Sequence, residues 1–135
     1  MACIFCKIIA GEIPSVKIYE DESVLAILDI NPVNEGHALV IPKQHYENLE
    51  ALPVVDLLAL SKVLKKIGLA LKEGFGAVGY NITLNNDPVA GQIIPHFHWH
   101  IIPRLPADGL KVWPQQPYES NEKMAEVARK ISQAL

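Results

Sequence analysis

The chain has 135 residues, with 15 acidic and 12 basic side chains and a formal net charge of −3. This is the size of one ordinary domain, so we expect a single domain over residues 1–135. Half of the residues are apolar and a fifth are charged, which favours a buried core over disorder. There is no run of basic residues to attract a nucleic-acid backbone, although a small phosphorylated ligand is compatible with this charge.

The N-terminal segment and the cysteines bear on the cellular compartment. The segment MACIFCKIIAGEIP has no basic region followed by a long apolar one, so it is unlike a secretory signal. The apolar stretches are shorter than the ~20 residues that span a bilayer. Cys3 and Cys6 are too close in sequence for a typical structural disulfide. These features predict a cytoplasmic protein without a membrane or nucleic-acid partner.

The first half of the chain predicts three strands and a long helix. Strands are expected over residues 16–20 and 23–29, separated by an acidic turn, and over residues 37–41. Pro53 suits the first turn of a helix, and Gly74 and Gly76 are expected to end it. Apolar residues recur between them at spacings of three and four, which predicts one buried face: Leu57, Leu60, Leu64, Ile67 and Leu71.

The second half predicts two more strands and a closing helix. Residues 80–84 alternate as a strand does, and a further strand is expected over residues 95–103. A C-terminal helix is expected to begin near Ser120 or Asn121, either of which can cap it. Strands flank one long helix without regular strand–helix alternation. The predicted class is therefore α+β, with an antiparallel sheet of about five strands, one long helix and a C-terminal helix.

Three of the five histidines lie in the segment HFHWHII, as His96, His98 and His100. On a strand, alternate residues share a face at intervals of ~6.6–6.8 Å, so we expect three imidazoles in a row, with Phe97 and Trp99 turned into the core. Such a row can hold zinc together with a water molecule. Alternatively, one imidazole can attack phosphorus while its neighbours set its tautomer and protonation.

The residues before the three histidines favour the second interpretation. Residues 85–92, NNDPVAGQ, form a turn-rich segment that can present backbone N–H groups to a phosphate. The strand itself contains no carboxylate that would complete a typical mixed metal shell. We therefore expect chemistry on a phosphate group.

The string NNDPVAGQIIPHFHWHIIPR resembles the signature of the histidine triad (HIT) superfamily of nucleotide hydrolases and transferases. The core motif of that superfamily is His-φ-His-φ-His-φ-φ, where φ is apolar. The blocks CIFCKIIAGEIPS, YEDE and DINPVNEGHALVIPKQH, and the pair Trp113-Pro114, are similar to the branch called histidine triad nucleotide-binding proteins. The resemblance covers essentially the whole chain, in the right order, and implies a HIT-like fold.

The resemblance also implies an activity. It indicates a hydrolase that cleaves the α-phosphate bond of nucleoside monophosphate derivatives through a covalent nucleotidyl-histidine intermediate. The expected substrates are purine nucleoside phosphoramidates or acyl-nucleotides, so the expected ligand is a purine nucleotide resembling AMP or GMP. The alternatives are a non-catalytic nucleotide-binding regulatory module and a dinucleoside polyphosphate hydrolase.

Individual residues take roles from the matching family positions. The resemblance makes His98 the nucleophile, places His100 and His37 beside it, and matches His96 to the first histidine of the triad. Asp29 matches the residue that hydrogen-bonds the ribose hydroxyls, as a carboxylate can. The remaining matches are an apolar slot for the base (Ile4, Phe5, Ile8, Ile27 and Ile30) and a phosphate loop (Asn85, Gly91 and Gln92).

The sequence departs from the branch at two positions. Ile93 stands where many members carry a hydroxyl near the scissile bond, and Asp87 stands where glycine is common. The Pro-x-Ala-Gly-Gln pattern also occurs in the diadenosine polyphosphate hydrolase branch. That branch lacks CxFCKII and usually has asparagine at the position of Asp29, so the nucleotide-binding branch is favoured.

Cys3 and Cys6 supply half of a tetrahedral zinc shell by their spacing. The resemblance to some bacterial relatives implies that His45 and His96 complete it, giving a structural zinc that the chemistry does not require. The alternative is a pair of reduced, partly buried thiols. The resemblance further implies a twofold homodimer in which the segment around Trp113 reaches toward the site of the partner.

Overall fold

The structure is a computed structural model that describes residues 3–135. Its centre is a five-stranded antiparallel sheet of order β1-β2-β3-β5-β4. The strands are β1 (Lys17–Glu20), β2 (Val24–Leu28), β3 (Ala38–Pro42), β4 (Gly79–Leu84) and β5 (Trp99–Arg104). The helices are α1 (Ile4–Ile9), α2 (Val54–Phe75) and α3 (Asn121–Gln133), with a 3₁₀ turn at Pro88–Ala90. The predicted α+β class, strand number, long helix and C-terminal helix are confirmed.

Helix α2 covers one face of the sheet. Its buried stripe packs on Val24, Val40, Phe97 and Ile101 from the strands and from the segment before β5. The helix crosses β4 closely at Gly68, where an added Cβ would lie 2.5 Å from the Tyr80 ring. The helix ends at Phe75, with Gly76 in the left-handed conformation as its cap, so Gly74 lies inside the last turn rather than ending it.

Helix α1, which the sequence analysis did not predict, covers the opposite face. Its sequence IFCKII is rich in isoleucine, which is a weaker helix former than leucine or alanine, so propensity alone gives little signal for a helix. Its buried side chains join those of the central strands in a second core cluster: Phe5, Ile8, Leu25, Ile27, Leu39 and Ile41. Because both faces of the sheet are covered, β3 is buried along its whole length.

The strand predicted over residues 95–103 is shorter than expected, since β5 begins only at Trp99. Before it, the His96 N–H donates to the Ile94 carbonyl at 2.8 Å and the Phe97 N–H donates to the Tyr46 carbonyl at 2.7 Å. These bonds take the backbone out of the sheet ladder. The expected regular row of three imidazoles on one strand is therefore wrong, because only His100 lies on β5.

No helix within residues 3–135 is long and apolar enough to cross a membrane.

Candidate active site and metal site

Three of the four predicted catalytic histidines form one cluster on the α1 side of the sheet. His37 directly precedes β3, and His100 lies on β5 between Leu39 and Thr83 of the neighbouring strands. The His100 ring centroid is 5.0 Å from that of His98 and 5.2 Å from that of His37. The fourth, His96, turns away from this cluster and contacts His45, with the two ring centroids 4.8 Å apart.

The hydrogen bonds of His37 and His100 determine where their protons lie. The Val33 N–H donates to His37 Nδ1 at 3.0 Å, so in the neutral ring the proton is on Nε2. His37 Nε2 lies 2.9 Å from His100 Nδ1 and donates to it. The remaining proton of His100 is therefore on Nε2, which is buried and has no hydrogen-bond partner within the described residues. This N–H is an unused donor in the cluster.

His98 has the opposite tautomer. Its Nδ1 lies 2.7 Å from the His96 carbonyl oxygen, which can only accept, so Nδ1 carries the proton and Nε2 keeps a free lone pair. The Phe5 ring meets the His98 ring edge-on, with centroids 5.0 Å apart. His98 thus combines a fixed orientation with an unprotonated ring nitrogen, which is the form in which imidazole acts as a nucleophile.

Burial keeps this cluster uncharged. Desolvation lowers the pKa of His98 and also that of His37, in each case against the attraction of the Asp29 carboxylate. It lowers the pKa of His100 from 6.5 to about 4, helped by the neighbouring His98 and His37. All three rings are consequently neutral at neutral pH, so they can offer lone pairs and N–H donors rather than positive charge.

The depressed pKa of His100 predicts a pH-dependent stability. A histidine that is harder to protonate when folded binds protons more readily in the unfolded chain, so its contribution is complete above pH 6.5 and is lost as the pH falls toward about 4. The difference between these two values corresponds to about 3 kcal/mol. We expect the free energy of unfolding from urea titrations to drop more steeply over this interval in the native protein than in His100→Asn. Parallel curves for the two proteins would contradict this assignment.

Asp29 lies at the edge of the histidine cluster. It follows β2, and its backbone N–H donates to the His37 carbonyl at 2.9 Å. One carboxylate oxygen accepts from the Asn31 N–H at 2.8 Å, and the other lies 3.6 Å from His37 Nε2. The side chain is 18% exposed, so the carboxylate remains accessible to a ligand hydroxyl.

The predicted apolar slot is divided in the structure. Phe5, Ile8 and Ile27 are buried together in the cluster that lies under α1. Ile4 is 45% exposed and Ile30 is 90% exposed, so these two side chains lie at the surface. The structure therefore places three of the five residues in the core under α1, where Phe5 contacts the His98 ring, and leaves the other two free to contact a ligand.

The side chains of the predicted phosphate loop mainly brace the loop itself. Gln92 Oε1 accepts from the Asp87 N–H at 2.8 Å, while Gln92 Nε2 donates to the carbonyls of Glu47 at 2.7 Å and Ile94 at 3.1 Å. Asn85 Nδ2 donates to the Gly91 carbonyl at 3.4 Å. The loop also uses its own backbone, since the N–H groups of Asp87, Ala90, Gly91 and Gln92 all donate within it.

Asp87 has a backbone conformation that favours glycine, the residue that the resemblance leads us to expect at this position. Its φ of 78° and ψ of 154° lie in a region that is open essentially only to glycine. Holding another residue there costs on the order of 1–3 kcal/mol. The carbonyl of Asp87 accepts from the N–H groups of Ala90 at 3.0 Å and Gln92 at 3.3 Å, and these bonds hold the strained turn in place.

The four predicted metal ligands, Cys3, Cys6, His45 and His96, form a second cluster in which all ligand atoms lie within 4.8 Å of one another. The Cys3 and Cys6 sulfurs lie 3.4 and 3.6 Å from His96 Nδ1, and the Cys6 sulfur lies 3.4 Å from His45 Nδ1. The two Nδ1 atoms are 3.2 Å apart. Ordinary zinc–sulfur and zinc–nitrogen bonds give tetrahedral edges of about 3.3–3.8 Å. The residues therefore fit a tetrahedral metal ion.

His96 connects the two clusters. Its Nε2 donates to the Pro42 carbonyl at 2.8 Å, which leaves the Nδ1 lone pair facing the thiols, as a metal ligand requires. Its own carbonyl is the acceptor for His98 Nδ1. His96 therefore belongs to the metal cluster by its side chain and to the active-site cluster by its backbone. The sequence analysis did not identify the Val33 N–H or the His96 carbonyl, because backbone groups carry no residue-type signal.

The fold and site define a class of α+β protein in which a buried, neutral imidazole is available as the nucleophile. The family model described as "HIT domain" matches residues 10–107, and the chain belongs to this histidine triad family. It is 41% identical over 136 residues to the adenosine 5'-monophosphoramidase of Schizosaccharomyces pombe, a match that covers 97% of this chain and 99% of the relative. The predicted family is confirmed, and the predicted nucleotide-hydrolysing enzyme agrees with this relative.

Two solved structures resemble the whole chain. A HIT family protein from Bacillus subtilis superposes with a TM-score of 0.90 at 42% identity, covering 100% of this chain and 98% of that one. A zinc-bound histidine triad family protein from Mycobacterium smegmatis superposes with a TM-score of 0.79 at 37% identity, covering 100% and 99%. The second shows that a chain of this fold can bind zinc.

Proposed function

We propose that this protein hydrolyses nucleoside phosphoramidates or acyl-nucleotides, with His98 as the nucleophile. The observation that carries the proposal is the tautomer of His98, which presents an unprotonated Nε2 from a buried, neutral ring. In the first step Nε2 forms a bond to the α-phosphorus and the bond to the leaving group breaks. In the second, water attacks the phosphorus, the phosphorus–nitrogen bond breaks, and a nucleoside monophosphate is released.

The surrounding groups support this chemistry. The unpartnered His100 Nε2–H can donate to a phosphoryl oxygen or to the departing atom, and His37 holds it in the required tautomer. Asp29 would accept from the ribose hydroxyls, and the exposed side chains of Ile4 and Ile30 would contact the purine base. Residues 85–92, the predicted phosphate loop, would lie against the phosphate.

A direct test is to trap the covalent intermediate. We expect adenosine 5'-phosphoramidate, mixed with the enzyme and quenched within the first turnovers, to add the mass of one adenylyl group, located at His98 by peptide mapping. AMP binding without any turnover would instead support a regulatory nucleotide-binding module. Faster cleavage of diadenosine polyphosphates would favour the dinucleoside polyphosphate hydrolase.

Ile93 stands where many members of the branch carry a hydroxyl, and this predicts that the rate of hydrolysis depends strongly on the leaving group. Ile93 is 92% exposed and has no polar atom with which to pass a proton to a departing amine. We expect anhydrides and aromatic amines to leave readily and alkyl amines slowly. Ile93→Ser should accelerate the alkyl-amine substrates about tenfold, a barrier change of about 1.4 kcal/mol, and leave the anhydrides nearly unchanged. An equal effect of Ile93→Ser on both substrate classes, measured as kcat/KM, would refute the proton-transfer explanation.

We further propose that the cluster of Cys3, Cys6, His45 and His96 binds a zinc ion. Two thiolates and two imidazoles are a typical donor set for structural zinc, and four protein ligands leave no open position for substrate. Such an ion would support the fold and take no part in bond cleavage. Elemental analysis of the purified protein should give one zinc per chain, and none in a variant that lacks both cysteines.

We also propose a homodimer. The strand order leaves β4 at an edge of the sheet, with Ile82 46% exposed, and unpaired edges are normally covered. Trp113 is 80% exposed on the segment that leaves the domain, where it is free to reach the site of a partner. Light scattering should give about twice the chain mass of 14.9 kDa at micromolar concentration. A mass near 15 kDa would contradict the dimer.

A further inference from the structure

The loop between β2 and β3 positions His37 through its backbone. The Val33 N–H donates to His37 Nδ1 at 3.0 Å, and the Asn34 carbonyl accepts from the His37 N–H at 3.0 Å. The first of these bonds requires an unprotonated Nδ1, so the position of Val33 decides which nitrogen of the neutral ring carries the proton. The geometry of this loop therefore bears directly on the contact between His37 and His100.

Asn34 fastens this loop to the end of β5. Its Nδ2 donates to the Pro103 carbonyl at 3.0 Å and to Asp108 Oδ2 at 3.1 Å, and both partners only accept, which fixes the orientation of the amide. Within residues 30–35, Asn34 alone makes a side-chain hydrogen bond to another part of the described chain. Since Pro103 lies on the same strand as His100, this amide joins the loop that holds His37 to the strand that carries His100.

The far end of this contact is itself held firmly. The Asp108 carboxylate accepts from Arg104 through both oxygens, at 2.7 and 2.9 Å, and Arg104 also donates to Asn81 Oδ1 on β4 at 2.9 Å. The Arg104 guanidinium keeps the pKa of the Asp108 carboxyl well below its usual range, so Asp108 is an anionic acceptor at neutral and mildly acidic pH. Gly36 adds a second close approach, because a Cβ there would lie 3.0 Å from Pro103 Cγ.

The neutral pair of His37 and His100 has two arrangements of protons. With its proton on Nε2, His37 donates to His100 Nδ1, and His100 keeps its own proton on Nε2. With the proton of His37 on Nδ1, donor and acceptor exchange, and His100 Nε2 loses its proton. The Val33 N–H excludes the second arrangement, because two N–H groups would then face each other. Asp29 favours the first arrangement only weakly, since its carboxylate lies 3.6 Å from His37 Nε2, beyond hydrogen-bond distance.

We propose that Asn34 is a positioning residue for the hydrolysis. By fastening the loop between β2 and β3 to β5, it holds the Val33 N–H against His37 Nδ1. The proton of His100 consequently stays on Nε2, where it is buried and available as a donor. The expected effect on the rate rests on the proposed function, whereas the expected positions of the protons exist in the absence of any substrate.

The first test locates these protons by NMR in ligand-free protein labelled with ¹⁵N-histidine, because the shift of a ring nitrogen reports whether it is protonated. In the native protein at neutral pH we expect protons on Nε2 of His37 and His100 and on Nδ1 of His98. Asn34→Ala should shift the ring nitrogens of His37 and His100 toward the other tautomer. His98 should not change, because its Nδ1 is held by the His96 carbonyl.

The matched control is Asn81→Ala. Asn34 and Asn81 are both half-buried and both belong to the network around Arg104, but the Asn81 side chain makes no hydrogen bond to the loop between β2 and β3. This variant should leave the ring nitrogens of all three histidines unchanged. Asn34→Asp is a second probe of the loop, since it keeps the size of the side chain but loses the donor and places another carboxylate beside Asp108. It should cause the same shifts as Asn34→Ala.

The second test separates positioning from a general loss of structure. Asn34→Ala should lower kcat/KM for adenosine 5'-phosphoramidate about tenfold in the native background, but less than about twofold in the His100→Asn background, where no imidazole proton remains to be placed. A purely structural role would give the same factor in both backgrounds.

Three results would overturn the role of Asn34. They are a proton on Nδ1 of His100 in the native protein, unchanged ring nitrogens in the folded Asn34 variants, and equal kinetic factors in the two backgrounds. A native protein that has the expected protons but does not hydrolyse the substrate would instead refute the proposed function.

Discussion

His98→Asn should abolish hydrolysis of adenosine 5'-phosphoramidate, with kcat falling at least about 10³-fold, while the dissociation constant for AMP changes little. The amide roughly fills the space of the imidazole but cannot form the bond to phosphorus. Steady-state kinetics and calorimetric titration with AMP would measure the two quantities. Activity above a hundredth of the native value would refute the covalent mechanism.

His100→Asn is the matched control for this experiment. It removes the unpartnered Nε2–H but leaves the nucleophile, its carbonyl acceptor and its tautomer in place. We expect a loss of about 10²-fold, the scale of one proton donor, with the nucleotidyl intermediate still detectable. The two variants therefore differ in whether the intermediate forms at all. If His100→Asn also fails to form it, positioning by His100 is part of the first step.

Removal of the proposed zinc ion should lower the stability of the fold, with little effect on the hydrolysis step itself. When the free concentration of the ion is about 100 times its dissociation constant, binding stabilises the native state by about 2.7 kcal/mol. For a domain of this size, that corresponds to roughly 10 °C in Tm. We expect a chelator to cause this shift in the native protein and none in a variant with Cys3→Ser and Cys6→Ser. Hydrolysis at 25 °C should continue in the fraction that stays folded, since four protein ligands would leave the proposed zinc no open position for substrate. Complete loss of activity in a chelated protein that is still folded would show that the metal takes part in the reaction.

Because His96 belongs to both clusters, the same experiment carries a kinetic expectation. Its side chain faces the thiols while its carbonyl orients His98, and Phe5 lies between Cys3 and Cys6 in sequence and contacts the His98 ring. Loss of the ion therefore loosens two supports of the nucleophile. Any decrease in activity on chelation should therefore include a fall in kcat, because both supports orient His98.

Much of this protein follows from its sequence alone. The 3.6-residue period of α2 and the short alternating strands predict the α+β class, because burial of one face imposes those periods whatever the partner element is. The histidine motif and its flanking blocks predict the family, and they also bring Cys3, Cys6, His45 and His96 into one ligand set, which the structure assembles. A pattern of residue types is sufficient to predict a structural feature when the chemistry of the side chains alone determines that feature.

Only the tertiary structure decided the orientations and tautomers of the histidines. The strand period predicted a regular row of three imidazoles, but the backbone leaves the sheet ladder before Trp99. His96 consequently turns toward the thiols, and His98 and His100 take opposite tautomers. Those tautomers depend on carbonyl and N–H groups that lie far apart in the chain or belong to the backbone, and a residue pattern does not encode them. Burial, which sets the pKa of each ring, likewise arises only when α1 and the sheet close over the site.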